Sequence, residues 1–159
     1  MAIVPAGFDK LSALGKLSTD TVITSGLGNC IGIVCINTAK QSMAIAHYNT
    51  LFTDGLMLKD AARVAASLTK LRRWLEGQTT ATSFQIGVGG CWYDVAASNE
   101  PMRHALLVGL TNVFQNEPTV WGQTVRYVGG RLEGSPNADW VNNLDWSKAG
   151  TSIPYSQLR

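Results

Sequence analysis

The sequence predicts a single α+β domain, and three observations carry that prediction. A continuous apolar run at residues 30–36 has the length and composition of a strand buried on both faces. At residues 84–88, Phe84, Ile86 and Val88 alternate with Gln85 and Gly87, the period of a half-buried strand. Two longer stretches, at residues 56–76 and 100–115, repeat their apolar residues at helical spacing. The chain has 159 residues, which is room for one core, since domains run to roughly 100–200 residues.

Composition narrows the class. Hydrophobic residues are 45% of the chain and charged residues 15%, the latter below the usual share of about 25%. A disordered chain has the opposite balance. The net charge of +2 is too even for a nucleic-acid partner or a polybasic membrane anchor. No apolar run approaches the roughly 18 residues of a membrane span. Met1-Ala2-Ile3-Val4-Pro5 has no basic start and leads into no long apolar stretch, so no secretory leader is expected. The cysteines are Cys30, Cys35 and Cys91. An odd count without a CxxC pair predicts neither a disulfide framework nor a structural zinc site. Thiols that need not pair fit a reducing cytoplasm. An effector delivered by a contact-dependent secretion machine would look the same.

The elements follow in order. Residues 21–24 are rich in β-branched side chains and predict a strand. Ser25-Gly26-Leu27-Gly28-Asn29 is a turn sequence, and the apolar run at 30–36 follows it. The polar residues 37–41 separate that run from a second strand at 42–48, so the two predict a hairpin. Asp54-Gly55 marks a turn. The first helix places Leu58, Ala61, Ala65, Leu68 and Leu75 on one face, with Lys59, Arg63, Lys70 and Arg73 elsewhere, and Gly77 as its stop. The strand at 84–88 ends at Gly89-Gly90. Ser98-Asn99-Glu100-Pro101 reads as a helix start. Met102, Leu106, Leu110 and Val113 form the buried face of that second helix. Residues 124–128 predict a last strand before Gly129-Gly130. The tail at 131–159 holds Trp140 and Trp146 but little periodicity, and reads as a wrapped or a partly disordered segment.

The chemistry gathers at Cys30. A cysteine that follows a Gly-rich turn and heads a buried strand can project its sulfur from the sheet end, with turn amides as a backbone oxyanion hole. His47 lies in the partner strand of the hairpin, where its imidazole would stabilise the thiolate. Taken alone, Cys30 reads equally as an inert buried thiol, and His47 as a strand-end histidine satisfied by a carbonyl. Cys35, five positions on, points to the opposite face and reads as core. Cys91 reads as packing, His104 as a solvated helix residue, and Arg72-Arg73 as a solvated helix face.

Thr24-Ser25-Gly26-Leu27-Gly28-Asn29-Cys30-Ile31, followed by Met43-Ala44-Ile45-Ala46-His47, resembles the CheD family of bacterial chemoreceptor glutamine deamidases. Its signature reads Thr-x-Gly-Leu-Gly-Ser-Cys-Val, then a Gly-Met-Ala-His strand, and the step of 17 from Cys30 to His47 fits. Weaker similarity continues through Phe84 and Gly90 to Gly122-Gln123-Thr124-Val125-Arg126-Tyr127, over residues 15–130 in all. Asn29 stands where the family has Ser, and Tyr48-Asn49-Thr50 where it has Leu-Pro.

The resemblance implies a β-sandwich, mixed or antiparallel and flanked by the two helices, shared with cytotoxic necrotizing factor-type cysteine hydrolases. It implies a deamidase domain at 1–130, with the tail at 131–159 packed on or beside it. It assigns Cys30 as nucleophile, His47 as base and acid, and Thr24 as the group that orients the imidazole. Gly28 and Asn29 would form the substrate and oxyanion turn. No metal or organic cofactor is called for. The implied partner is a protein bearing a target glutamine, such as a chemoreceptor in the cytoplasm, with no nucleic acid and no membrane insertion. Two other readings stand beside it: an effector or toxin deamidase acting on host proteins, and a docking module for a CheC-type phosphatase.

Overall fold

A computed structural model describes residues 1–50, 60–92, 100–137, 139–141, 143–144, 146 and 150–158, apart from the side chains of Cys91 and Asp139. In chain order the strands are β1 (Ile3–Ala6), β2 (Lys10–Leu11), β3 (Gly15–Lys16), β4 (Thr21–Ser25), β5 (Cys30–Asn37), β6 (Ser42–Asn49), β7 (Ser83–Val88), β8 (Val120–Trp121), β9 (Thr124–Val128), β10 (Arg131–Ser135) and β11 (Thr151–Ser152). The helices are α1 (Ala61–Thr79), α2 (Glu100–Phe114) and α3 (Tyr155–Leu158). The architecture is α+β, built from two sheets and these helices.

One sheet has the order β1-β4-β9-β10, and the other runs β11-β2-β6-β5-β7-β8 with β3 also paired to β6. Both are mixed: β1 runs parallel to β4 and β7 parallel to β8, while the other pairings are antiparallel. Alternation along β5 and β6 sorts the core into two layers. Val34, Ile36, Met43 and Ile45 join Val22, Val125 and Tyr127 of the smaller sheet in one cluster. Ile31, Ile33, Cys35, Ala44 and Tyr48 join Leu68, Leu71, Leu75, Leu106 and Leu110 of the helices in the other. The larger sheet is thus the middle layer of a sandwich. The sheets meet closely at Gly87, where a β-carbon would fall 2.8 Å from the Val125 side chain.

The hairpin, the strand at Thr124–Val128 and the face of α2 follow the sequence pattern. In α2, Leu106 and Leu110 are buried, with Met102 and Val113 packed at the edge.

Four expectations need correction. The helix α1 does not stop at Gly77. It runs to Thr79, because Thr79 continues the buried stripe of Leu75 and its hydroxyl bonds the Leu75 carbonyl; Thr80, at φ 52°, makes the cap. Its buried face is Val64, Ser67, Leu68, Leu71 and Leu75, while Ala61 is exposed and Ala65 half-buried. The helix starts after Asp60, whose carboxylate accepts the Ala62 and Arg63 amides; Leu58, Lys59 and the Asp54-Gly55 turn lie outside the described residues, as do Ser98 and Asn99. The strand β7 alternates as expected only at its start, where Ser83 is exposed and Gln85 half-buried; from Ile86 to Val88 it is covered on both faces, between β5 and β8 with a sheet on one side and helices on the other. Arg72 is not merely solvated: it donates to the Val113 carbonyl and stacks 5.3 Å from the Phe84 ring centroid.

Residues after 130 join the fold directly. The strand β10 pairs with β9, β11 pairs with β2, and Ile153, Tyr155 and Leu158 enter the helix-side core. Trp140 lies over the Arg126 guanidinium at 3.8 Å.

Candidate functional site

The hairpin register brings the two expected catalytic side chains to one face. Cys30 pairs with Asn49 and Gly32 with His47, so Cys30 and His47 are diagonal neighbours on the face turned toward the smaller sheet. Gly32 matters here because it has no side chain. A β-carbon there would press at 3.4 Å on the Thr24 side chain, which reaches across from β4. Cys35 is on the other face, against the helices, and burial pushes its thiol up to about 12.

The Thr24 hydroxyl lies 2.8 Å from His47 Nδ1 and 2.8 Å from the Ala6 carbonyl oxygen. A carbonyl only accepts, so the single hydroxyl proton goes to Ala6 and the Thr24 oxygen must accept from Nδ1–H. That fixes the tautomer. Nε2 is left as an unprotonated lone pair, buried and without a hydrogen-bond partner among the described residues. A bare basic nitrogen in the interior is costly unless it has work to do. His47 is fully buried, and that burial lowers it from 6.5 to about 4, with the charge of Asp9 acting in the opposite direction. The resting imidazole is therefore neutral.

The turn before Cys30 is held from several sides. Gly26 takes φ 80°, and a β-carbon there would collide with the Phe8 ring at 2.6 Å. The backbone of Gly89 lies against the turn so closely that a β-carbon would sit 1.5 Å from the Leu27 carbonyl oxygen. Its amide donates to the Cys30 carbonyl at 2.9 Å. The Asn29 carbonyl accepts from the Thr50 hydroxyl and from the Trp92 indole, both at 2.6 Å. The Asn29 side chain donates to Asn49 at 3.2 Å. The Gly28 amide donates to the Gly26 carbonyl at 3.1 Å.

Several residues at the site carry no sequence signal of their own. Phe8 is 66% exposed, yet its ring centroid is 4.8 Å from that of His47. It also borders a groove of about 460 Å³ together with Gly7, Lys10, Ser25, Val141 and Trp146. Asp9 accepts the Tyr155 hydroxyl at 2.7 Å. Phe8, Asp9 and Tyr155 come from segments without periodicity, and only the fold shows that they converge. Gly89 was legible as a break, though not as a buttress. His104 is exposed on α2, away from these contacts. Among the described residues, no group of three His, Cys, Asp or Glu side chains converges as a metal site, and no helix is long and apolar enough to cross a membrane. No protein-family model matches the chain, and no curated protein matches it.

Proposed function

We infer that the protein is a glutamine deamidase of the CheD type, hydrolysing a side-chain amide of a protein substrate through Cys30, His47 and Thr24. The observation that carries this reading is the Thr24–His47 hydrogen bond, which leaves Nε2 bare on the face of β5 and β6 that also holds Cys30. The Cys30 sulfur attacks the amide carbon while its proton passes to Nε2. The tetrahedral oxygen is held by backbone amides of the turn. The imidazolium then protonates the departing nitrogen, which leaves as ammonia, and a thioester remains. Water attacks the thioester as Nε2 takes its proton. Collapse returns the proton to sulfur and releases glutamate.

Cys30 is only 5% exposed, at the foot of the turn. A nucleophile set below the surface favours a long, flexible side-chain amide over a peptide carbonyl held in a backbone. The CheD-like sandwich, a cytoplasmic setting and a chemoreceptor substrate follow from the motif resemblance and belong to the same proposal.

The test is ammonia release and a mass gain of about one dalton per converted glutamine, measured on chemoreceptor cytoplasmic fragments and on glutamine-bearing switch proteins such as small GTPases. Cys30→Ser and His47→Ala should each lose nearly all activity, because the two act as one unit. Retained deamidation in Cys30→Ser would refute the mechanism. Activity confined to the switch proteins would favour an effector role. A wild type silent on every substrate that binds a chemotaxis phosphatase tightly would favour a docking module.

A further inference from the structure

The reaction proposed above creates a charge in a buried place. When Nε2 takes the Cys30 proton, the ring becomes an imidazolium. Thr24 then offers only the Nδ1–H contact that it already made. A buried cation without a counter-charge is costly. Among the described residues, the titratable and charged groups around His47 are Cys30 on its own face of the sheet, Asp9 just before β2, Lys10 in β2, and Tyr155 in α3. Of these, Asp9 is the anion whose charge favours the protonated ring.

Asp9 is held in place by contacts that reach both ends of the chain. Its backbone sits at φ 60°, in the left-handed region that few residues occupy without cause. The neighbouring Phe8 ring lies on His47. The Asp9 carbonyl accepts the Ile153 amide at 2.8 Å. Its carboxylate accepts the Tyr155 hydroxyl at 2.7 Å, and that same hydroxyl accepts the Asn49 amide at 2.9 Å. Asn49 is two residues beyond His47 on β6 and shares its face. The C-terminal segment therefore ties the Asp9 carboxylate to the strand that carries the imidazole.

We propose that Asp9 is the counter-charge for the His47 imidazolium, and that Tyr155 is the positioning residue that keeps it there. The inference rests on the acid–base role given to His47, so its test is one that needs no substrate. The His47 ring is followed by NMR from neutral pH downward in the full chain, with amide spectra recorded alongside to show that the fold persists. His104, the other histidine, serves as the internal control. Asp9→Asn removes the charge, keeps an acceptor for Tyr155, and suits the left-handed backbone. It should move the His47 midpoint down by roughly half a unit or more, because the ring loses the negative charge that favours its protonated form. Tyr155→Phe should move it the same way and by less, and His104 should not move. In the ammonia assay Asp9→Asn should lower kcat with little change in KM. An unchanged His47 midpoint in Asp9→Asn would overturn the counter-charge. An unchanged midpoint in Tyr155→Phe would overturn the positioning role. A wild type that releases no ammonia would sink the deamidase reading alone and leave the titration result intact.

Discussion

Acidification should destabilise this protein through His47, and the size of the effect can be worked from the site. Burial holds the folded imidazole at about 4, against 6.5 for an unperturbed one. Above pH 6.5 the ring is neutral in both the folded and unfolded chain, and His47 adds no pH dependence. Below it the unfolded chain binds a proton that the folded chain refuses, so stability falls as pH falls. The loss accumulates down to about pH 4, where the folded ring also protonates and the penalty levels off. At 1.36 kcal/mol per unit the gap corresponds to roughly 3 kcal/mol. That is a large share of the 5–15 kcal/mol typical of a domain. The assay is urea unfolding of the wild type and His47→Asn at matched ionic strength, above and below this window. Asn keeps an N–H for Thr24 but does not titrate. The wild type should lose roughly 3 kcal/mol more than the variant across the window. Asp20, held below its ordinary 3.8 by the Lys16 and Ala2 amides, acts at lower pH and equally in both proteins. Equal acid sensitivity in the two would refute the buried neutral imidazole.

Two further outcomes follow from the same contacts. Thr24→Val keeps the shape of the side chain but strands both Nδ1–H and the Ala6 carbonyl; it should cost about 1–3 kcal/mol in urea unfolding and lower kcat roughly 10–100-fold, and a variant as stable and active as the wild type would contradict the tautomer assignment. Phe8→Ala removes the ring over His47 and Gly26, so brief iodoacetamide treatment followed by mass mapping should label Cys30 several-fold faster while Cys35, pushed up to about 12, stays unlabelled; an unchanged Cys30 rate would show that Phe8 is no cover.

The sequence by itself determined the middle of this protein. The apolar run at residues 30–36 reads as a strand covered on both faces, and the polar break at 37–41 made residues 42–48 its hairpin partner. From that pairing alone, Cys30 and His47 fall on one face and Cys35 on the other, because side chains alternate strictly along a strand. Helix α2 was legible for a similar reason: its apolar residues keep one period from end to end. Helix α1 was less so, since alanines at Ala61 and Ala65 pattern as apolar but are too small to decide which face is buried.

What the tertiary structure decided lies between segments distant in the chain. The strands β1, β2, β3 and β8 are too short to show a period, and they exist because a neighbouring strand pairs with them. The state of His47 depends on Thr24 from the opposite sheet, on the Ala6 carbonyl that takes the hydroxyl proton, and on burial. None of these can be read from the residues around His47. Asp9 and Tyr155, separated by 146 positions, meet because β11 pairs with β2 and carries the C-terminal end to the hairpin. Local periodicity records which face of an element is buried. It holds no record of which distant segment will cover that face, and here the covering segments set the chemistry.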